Sequence, residues 1–267
     1  MFDGNIIARK MRRIGFAFLV FFLIQVQSVF GAWGKDVRII SFSGFKWRVK
    51  NSDTRVAPRN NLFSDSQENV RVDDAGRLHL KLCKIEDKWL ASELVSLKSF
   101  GYGTYIFQIN SRVDRLDRNA VLGLFTYDGE AAAPNREIDI EFSRWGKDGA
   151  INAQYVVQPY HEDGSVRRFA FELNGSFSTH AFTWNRDHVF FQSLNGHYLQ
   201  PPTEKHVISL WNYTGKNVPR RGKEKVRMNL YLVDESGPSD GKEIEIVIEK
   251  FIFVPEAKSF LPNFLSR

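Results

Sequence analysis

Residues 136–146 read REIDIEFSRWG, with acids at Glu137, Asp139 and Glu141 and apolar residues at Ile138, Ile140 and Phe142 between them. Strand side chains alternate faces with a period of two, so a strand here points its isoleucines and phenylalanine one way and all three carboxylates the other. Half-buried strands with a polar outer face are common, and a solvated face is the ordinary reading. The chain carries its own comparison in residues 242–250, KEIEIVIEK, where Glu243, Glu245 and Glu249 alternate with Ile244, Ile246 and Ile248. There exposure accounts for the whole pattern, and the acids are expected to splay into solvent, each beside Lys242 or Lys250 or hydrated.

Outward from the acidic strand the same period recurs. Alternating segments appear at 77–82, 103–110, 120–127, 152–158, 180–184, 188–194, 226–233 and 243–254. Turn-rich stretches such as DDAG, DGEAAAPN, HEDG, LNG and ESGPSDG separate them. No long amphipathic helix is legible, and neither is an internal repeat, a low-complexity linker or a second domain. Many short strands at this spacing predict an all-β fold, a single antiparallel β-sandwich or barrel over residues 32–267.

Residues 1–31 read as a signal peptide. Arg9, Lys10, Arg12 and Arg13 form a basic region, residues 14–26 an apolar run, and Val29 and Gly31 offer small residues for cleavage. Thirteen apolar residues fall short of the ~20 that span a bilayer, so an uncleaved anchor is the weaker alternative. The mature chain is expected to be secreted or periplasmic, with no membrane association once the signal is cleaved. Its removal takes about +3 of the formal +6 charge, leaving a scattered positive balance with no basic stripe, which argues against nucleic acid. Cys83 is the only cysteine, so no intrachain disulfide can form, and the fold must rest on its core. Six dispersed histidines show no ligand spacing, and no catalytic metal or cofactor is expected, with a structural calcium left open.

Three acids on one strand face suit glycoside hydrolysis. A retaining mechanism needs a nucleophilic carboxylate and an acid/base carboxyl about 5 to 5.5 Å apart. Glutamates four residues apart on a strand have Cα atoms roughly 13 Å apart, a gap that two long side chains leaning inward can largely close. Crowding then drives their titrations apart, so that one carboxyl is ionised while another holds its proton.

REIDIEF also resembles the signature of glycoside hydrolase family 16, which includes lichenases, laminarinases, agarases and carrageenases. Residues 99–109 (SFGYGTYIFQI), 123–129 (GLFTYDG), 180–196 (HAFTWNRDHVFFQSLNG) and 226–232 (VRMNLYL) are similar to further family segments in the same order. The resemblance implies a concanavalin A-like jelly roll with a concave substrate cleft. It makes Glu137 the nucleophile, Asp139 the residue that tunes its neighbours, and Glu141 the general acid/base. Glu93, Phe125, Tyr127, Trp145, Asn229 and Tyr231 would contact a polysaccharide or oligosaccharide bound by a monomer. Departures from the lichenase pattern at Val95, Tyr231 and residues 144–146 leave the particular β-glycan open. A transglycosylase and a non-catalytic, lectin-like jelly roll stand as alternatives on the same fold.

Overall fold

The structure, a computed structural model, describes residues 37–256. The signal peptide expected at 1–31 lies outside the described residues. The first eight strands are β1 (Ile39–Phe42), β2 (Phe45–Val49), β3 (Leu62–Phe63), β4 (Val70–Val72), β5 (Leu78–Ile85), β6 (Lys88–Ser96), β7 (Gly103–Asn110) and β8 (Ala120–Tyr127). The second eight are β9 (Ile138–Phe142), β10 (Ala153–Val157), β11 (Val166–Phe169), β12 (Phe177–Trp184), β13 (Val189–Asn195), β14 (Val207–Tyr213), β15 (Lys225–Leu232) and β16 (Ile244–Pro255). Among the described residues helix is confined to two short 3-10 turns, at Val113–Arg115 and Glu204–His206, and no helix is long and apolar enough to cross a membrane.

All strands but the short β3, which pairs in parallel with β6, form two antiparallel layers. One runs β1-β2-β6-β15-β8-β9-β10-β11, the other β4-β5-β16-β7-β12-β13-β14. The β5–β6 hairpin joins them. Near its turn the two strands pair with each other, Cys83 opposite Leu90. Farther back they part, β5 pairing with β16 in one layer and β6 with β15 in the other.

Alternation explains how the layers meet. Ile138, Ile140 and Phe142 of β9, with Leu122 and Leu124 of β8, are fully buried on the inner face of the first layer. Rings bridge to the second layer at Phe142–His180 (centroids 4.5 Å apart), Tyr155–Phe191 (4.8 Å) and Trp47–Phe251 (5.4 Å). Burial of such aromatic area is the main favourable contribution to a fold without disulfides. His180 is a core histidine, hydrogen-bonded to Ser178 and Ser193, and burial pushes its pKa down to about 3, so it stays neutral.

The comparison segment is exposed at Glu243, just before β16, and at Glu245 on it, but their ion partners differ from the expectation. Glu243 pairs with Lys81 at 2.9 Å and Glu245 with Arg71 at 2.7 Å, both across the sheet, while Lys242 pairs with Asp240. Cross-strand neighbours on one face lie closer than residues adjacent in sequence, which point to opposite faces. A register shift between Ile248 and Lys250 moves the buried set from Ile246 and Ile248 to Phe251, as a β-bulge does.

Candidate active site

The acidic strand lies in the middle of the first layer, and its outer face is recessed. Asp139 is 4% exposed although it points away from the core, and Glu137 and Glu141 are only partly open to solvent. Register defines two rows of side chains across this face. One runs Glu93, Asn229, Gly123, Glu141, Gln154, Arg168, and the other Arg48, Val95, Arg227, Phe125, Asp139, Val156.

The approach to β9 is pinned from several sides. Asp128, at the end of β8, is ion-paired to Arg136 at 2.7 Å and accepts from the Lys223 backbone N–H, and Thr126 Oγ1 donates to the Arg136 carbonyl. Glu137 therefore enters the sheet from a fixed turn, and its carbonyl accepts from the Gln158 N–H.

Each acid has its own surroundings. Burial raises the Glu137 pKa to about 7; a hydrogen bond from Asp139 acts against this, and the nearby charge of Glu141 adds to it. Burial also raises Asp139 well above the usual carboxylate range, helped by the charges of Glu137 and Glu141. Asp139 thus keeps its proton and shares it with Glu137, while Gln158 Nε2 donates to its Oδ2 at 3.0 Å. Glu141 is raised by burial but accepts from Gln154 Nε2 at 2.5 Å and from the Tyr231 hydroxyl, with the charges of Arg59 and Arg168 nearby. The three carboxyls titrate as a linked set, in which protonation of one favours ionisation of the next.

The substrate-contact residues fall into distinct groups. Phe125 and Tyr127 lie half-exposed on the acid face, with the Arg227 guanidinium 4.6 Å from the Tyr127 ring centre. Asn229 is buried with its Oδ1 unpaired among the described residues; a Cβ at Gly123 would come within 2.5 Å of that oxygen, so glycine opens the space in front of it. Tyr231 reaches Glu141 directly. Glu93 is 1% exposed, and both its oxygens are taken, by Lys50 at 3.0 Å and Arg227 at 2.8 Å. That placement suits it to holding two cations more than to touching a glycan. Trp145 occupies the left-handed turn after β9 (φ 48°), and no hydrogen bond or ring contact joins it to the acids.

Sequence reasoning did not single out Gln154, Gln158, Arg168, Arg227 or Lys50. The residues 152–158 segment read as a strand, and Gln154, Val156 and Gln158 share one of its faces. Only the pairing of β10 with β9 turns that face toward the acids.

No protein-family model matches the chain, and no curated protein matches it. Solved structures do. The chain is similar to a Bacillus licheniformis β-glucanase at 20% identity, over 78% of this chain and 91% of that one, with a TM-score of 0.56. A Flavobacterium laminarinase matches at 14% identity over 79% and 93% of the two chains, with a TM-score of 0.58. A Mycobacterium tuberculosis protein described as an immunostimulatory antigen and pseudo β-1,3-glucanase matches at 18% identity over 78% and 89%, with a TM-score of 0.53. The all-β fold is thus the jelly roll of the β-glucanases.

Proposed function

We propose that the protein is a secreted, endo-acting, retaining glycoside hydrolase of family 16 type, cleaving a β-linked polysaccharide. The observation that carries this reading is the recessed row of Glu137, Asp139 and Glu141, each carboxyl held in a different environment on one strand face. A surface strand gains nothing from burying three like-charged groups, and such burial raises pKa values where catalysis uses the shift.

The chemistry follows from these environments. Glu137, kept ionised by the Asp139 proton, attacks the anomeric carbon while Glu141 gives its proton to the leaving glycosidic oxygen, and the carbon–oxygen bond breaks. Glu141, now ionised and held by Tyr231 and Gln154, takes a proton from water as that water attacks the same carbon and releases Glu137. Tyr231 stays protonated, since burial and the acid charges raise its pKa, so its hydroxyl remains a donor to Glu141.

A non-catalytic glycan-binding protein is the second reading, favoured by the jelly-roll neighbour described as a pseudo-glucanase. Incubating the protein with β-glucans and algal galactans, and following reducing ends and product lengths, separates the two. The hydrolase reading expects shortened chains that vanish in Glu137→Gln. Products longer than the substrate indicate glycosyl transfer, and binding without any cleavage contradicts an enzymatic role.

A further inference from the structure

We propose that the substrate is an anionic polysaccharide, carrying sulfate or carboxylate groups on the sugars that flank the cleaved bond. The proposal rests on the glycosidase reading above and deepens it. Its basis is the placement of five cations, Arg48, Lys50, Arg59, Arg168 and Arg227, on or beside the acid face.

Their positions along the register matter most. Arg168 on β11 stands two strands from Glu141 in one row, and Arg227 on β15 two strands from Asp139 in the other, on the opposite side. At the usual strand spacing each lies roughly 10 Å from the acids, so a glycan crossing the strands meets a cation on both sides of the scissile bond. Arg48 on β2 extends the second row farther in the Arg227 direction. The cations are dispersed along the chain but gathered in space, which is why the sequence showed no basic stripe.

Neutralising the site's own acids does not account for all of them. Glu93 binds Lys50 and Arg227, one carboxylate for two cations. Arg168 is exposed and spends its Nε on the neutral Gln154 amide, at 3.2 Å, and no ion pair holds Arg168 or the exposed Arg59 among the described residues. With Asp139 protonated and one glutamate protonated for catalysis, the four cations Lys50, Arg59, Arg168 and Arg227 face two carboxylates, Glu93 and the remaining glutamate. A neutral glycan leaves that excess desolvated and unmatched on binding, whereas sulfate or carboxylate groups offer the paired oxygens that arginine engages. The apolar platform of Phe125 and Tyr127 still takes a sugar face, so charge selects among glycans without replacing ring stacking.

The test measures binding and cleavage separately, on one glycan backbone in neutral, sulfated and carboxylated forms. Affinity electrophoresis of Glu137→Gln at low and at physiological salt is expected to show at least tenfold tighter binding to one anionic form, and comparison of the two shows which group is read. The double variant Arg59→Gln/Arg168→Gln is expected to lose at least tenfold of that preference. The charge-matched control Lys84→Gln/Lys88→Gln, on the β5–β6 turn, is expected to keep it. In the wild type the ratio of kcat/KM for the anionic over the neutral form should follow the binding preference and fall in the arginine variant. Equal or tighter binding of the neutral form, or equal loss in both variants, overturns the proposal. Preferential binding without cleavage of any form supports the anionic ligand and counts instead against the glycosidase reading.

Discussion

Gln158 donates from Nε2 to Asp139 Oδ2 at 3.0 Å, while its own Oε1 accepts the Tyr160 N–H at 2.8 Å. The amide is thereby oriented by the backbone, and Asp139 has one oxygen fixed and the other available to share a proton with Glu137. Gln158→Leu removes the tether. Asp139 is then no longer oriented toward Glu137, the hydrogen bond that lowers the Glu137 pKa weakens, and that pKa rises. The acidic limb of kcat/KM should move to higher pH, with kcat down roughly ten- to a hundredfold from misplacement. An unmoved limb with kcat within about twofold of the parent contradicts a positioning role.

Glu93 provides a stability prediction of the opposite sign to the catalytic acids. Burial pushes its pKa up, but the charges and hydrogen bonds of Lys50 and Arg227 outweigh this and hold it below the usual range. An acid depressed on folding contributes stability that is fully present above the unfolded value, near pH 4.3, and is lost as pH falls through the folded value. Glu93→Ala strands two partly buried cations and should cost about 3 kcal/mol in urea unfolding near neutral pH. The cost should shrink as the parent is taken into acid. A constant cost down to about pH 2 contradicts the ion-pair account.

Glu137 works the other way. Its folded value, about 7, stands above the unfolded one, so the parent loses stability as pH rises from about 4.3 to 7. Glu137→Gln should therefore melt higher than the parent at pH 8, by an amount on the order of 1–2 kcal/mol after allowing for solvent screening of a half-exposed group. The gap should close toward pH 4. A variant less stable than the parent at pH 8 contradicts the burial of charge described here.

Much of this site was legible in the sequence. Strands β7 and β8 begin and end where alternation put them, at Gly103–Asn110 and Ala120–Tyr127, and the face carrying Glu137, Asp139 and Glu141 follows from the same period. Strand β6 was harder to read, because its last six residues are buried on both faces and alternation disappears. Strands β3 and β4, of two and three residues, are too short to show a period. The partners of the acids were hidden for another reason. Gln154 meets Glu141, and Arg168 meets Gln154, through cross-strand register, which local periodicity does not encode. The family resemblance points Glu93 toward substrate, and only the fold reveals Lys50 and Arg227 on its two oxygens.

Glu141→Ala separates proton donation from nucleophilic attack. Polysaccharide cleavage should fall by about 10²-fold or more, whereas aryl glycosides with good leaving groups need no proton and should react far closer to the parent rate. Added azide fills the space left by the carboxylate and attacks the glycosyl–Glu137 ester, so turnover should recover with formation of a glycosyl azide. Equal loss on both substrates, with no azide effect, contradicts the acid/base role.

The most direct test of the central claim is the configuration of the first product. If Glu137 forms a covalent glycosyl intermediate and water later displaces it on the same face, two inversions restore the starting configuration. Proton NMR of the fastest-cleaved polysaccharide, recorded before mutarotation, should show the β-anomer appearing first and the α-anomer growing in later. An α-anomer appearing first would mean single displacement by water, and would contradict the assignment of Glu137 as nucleophile.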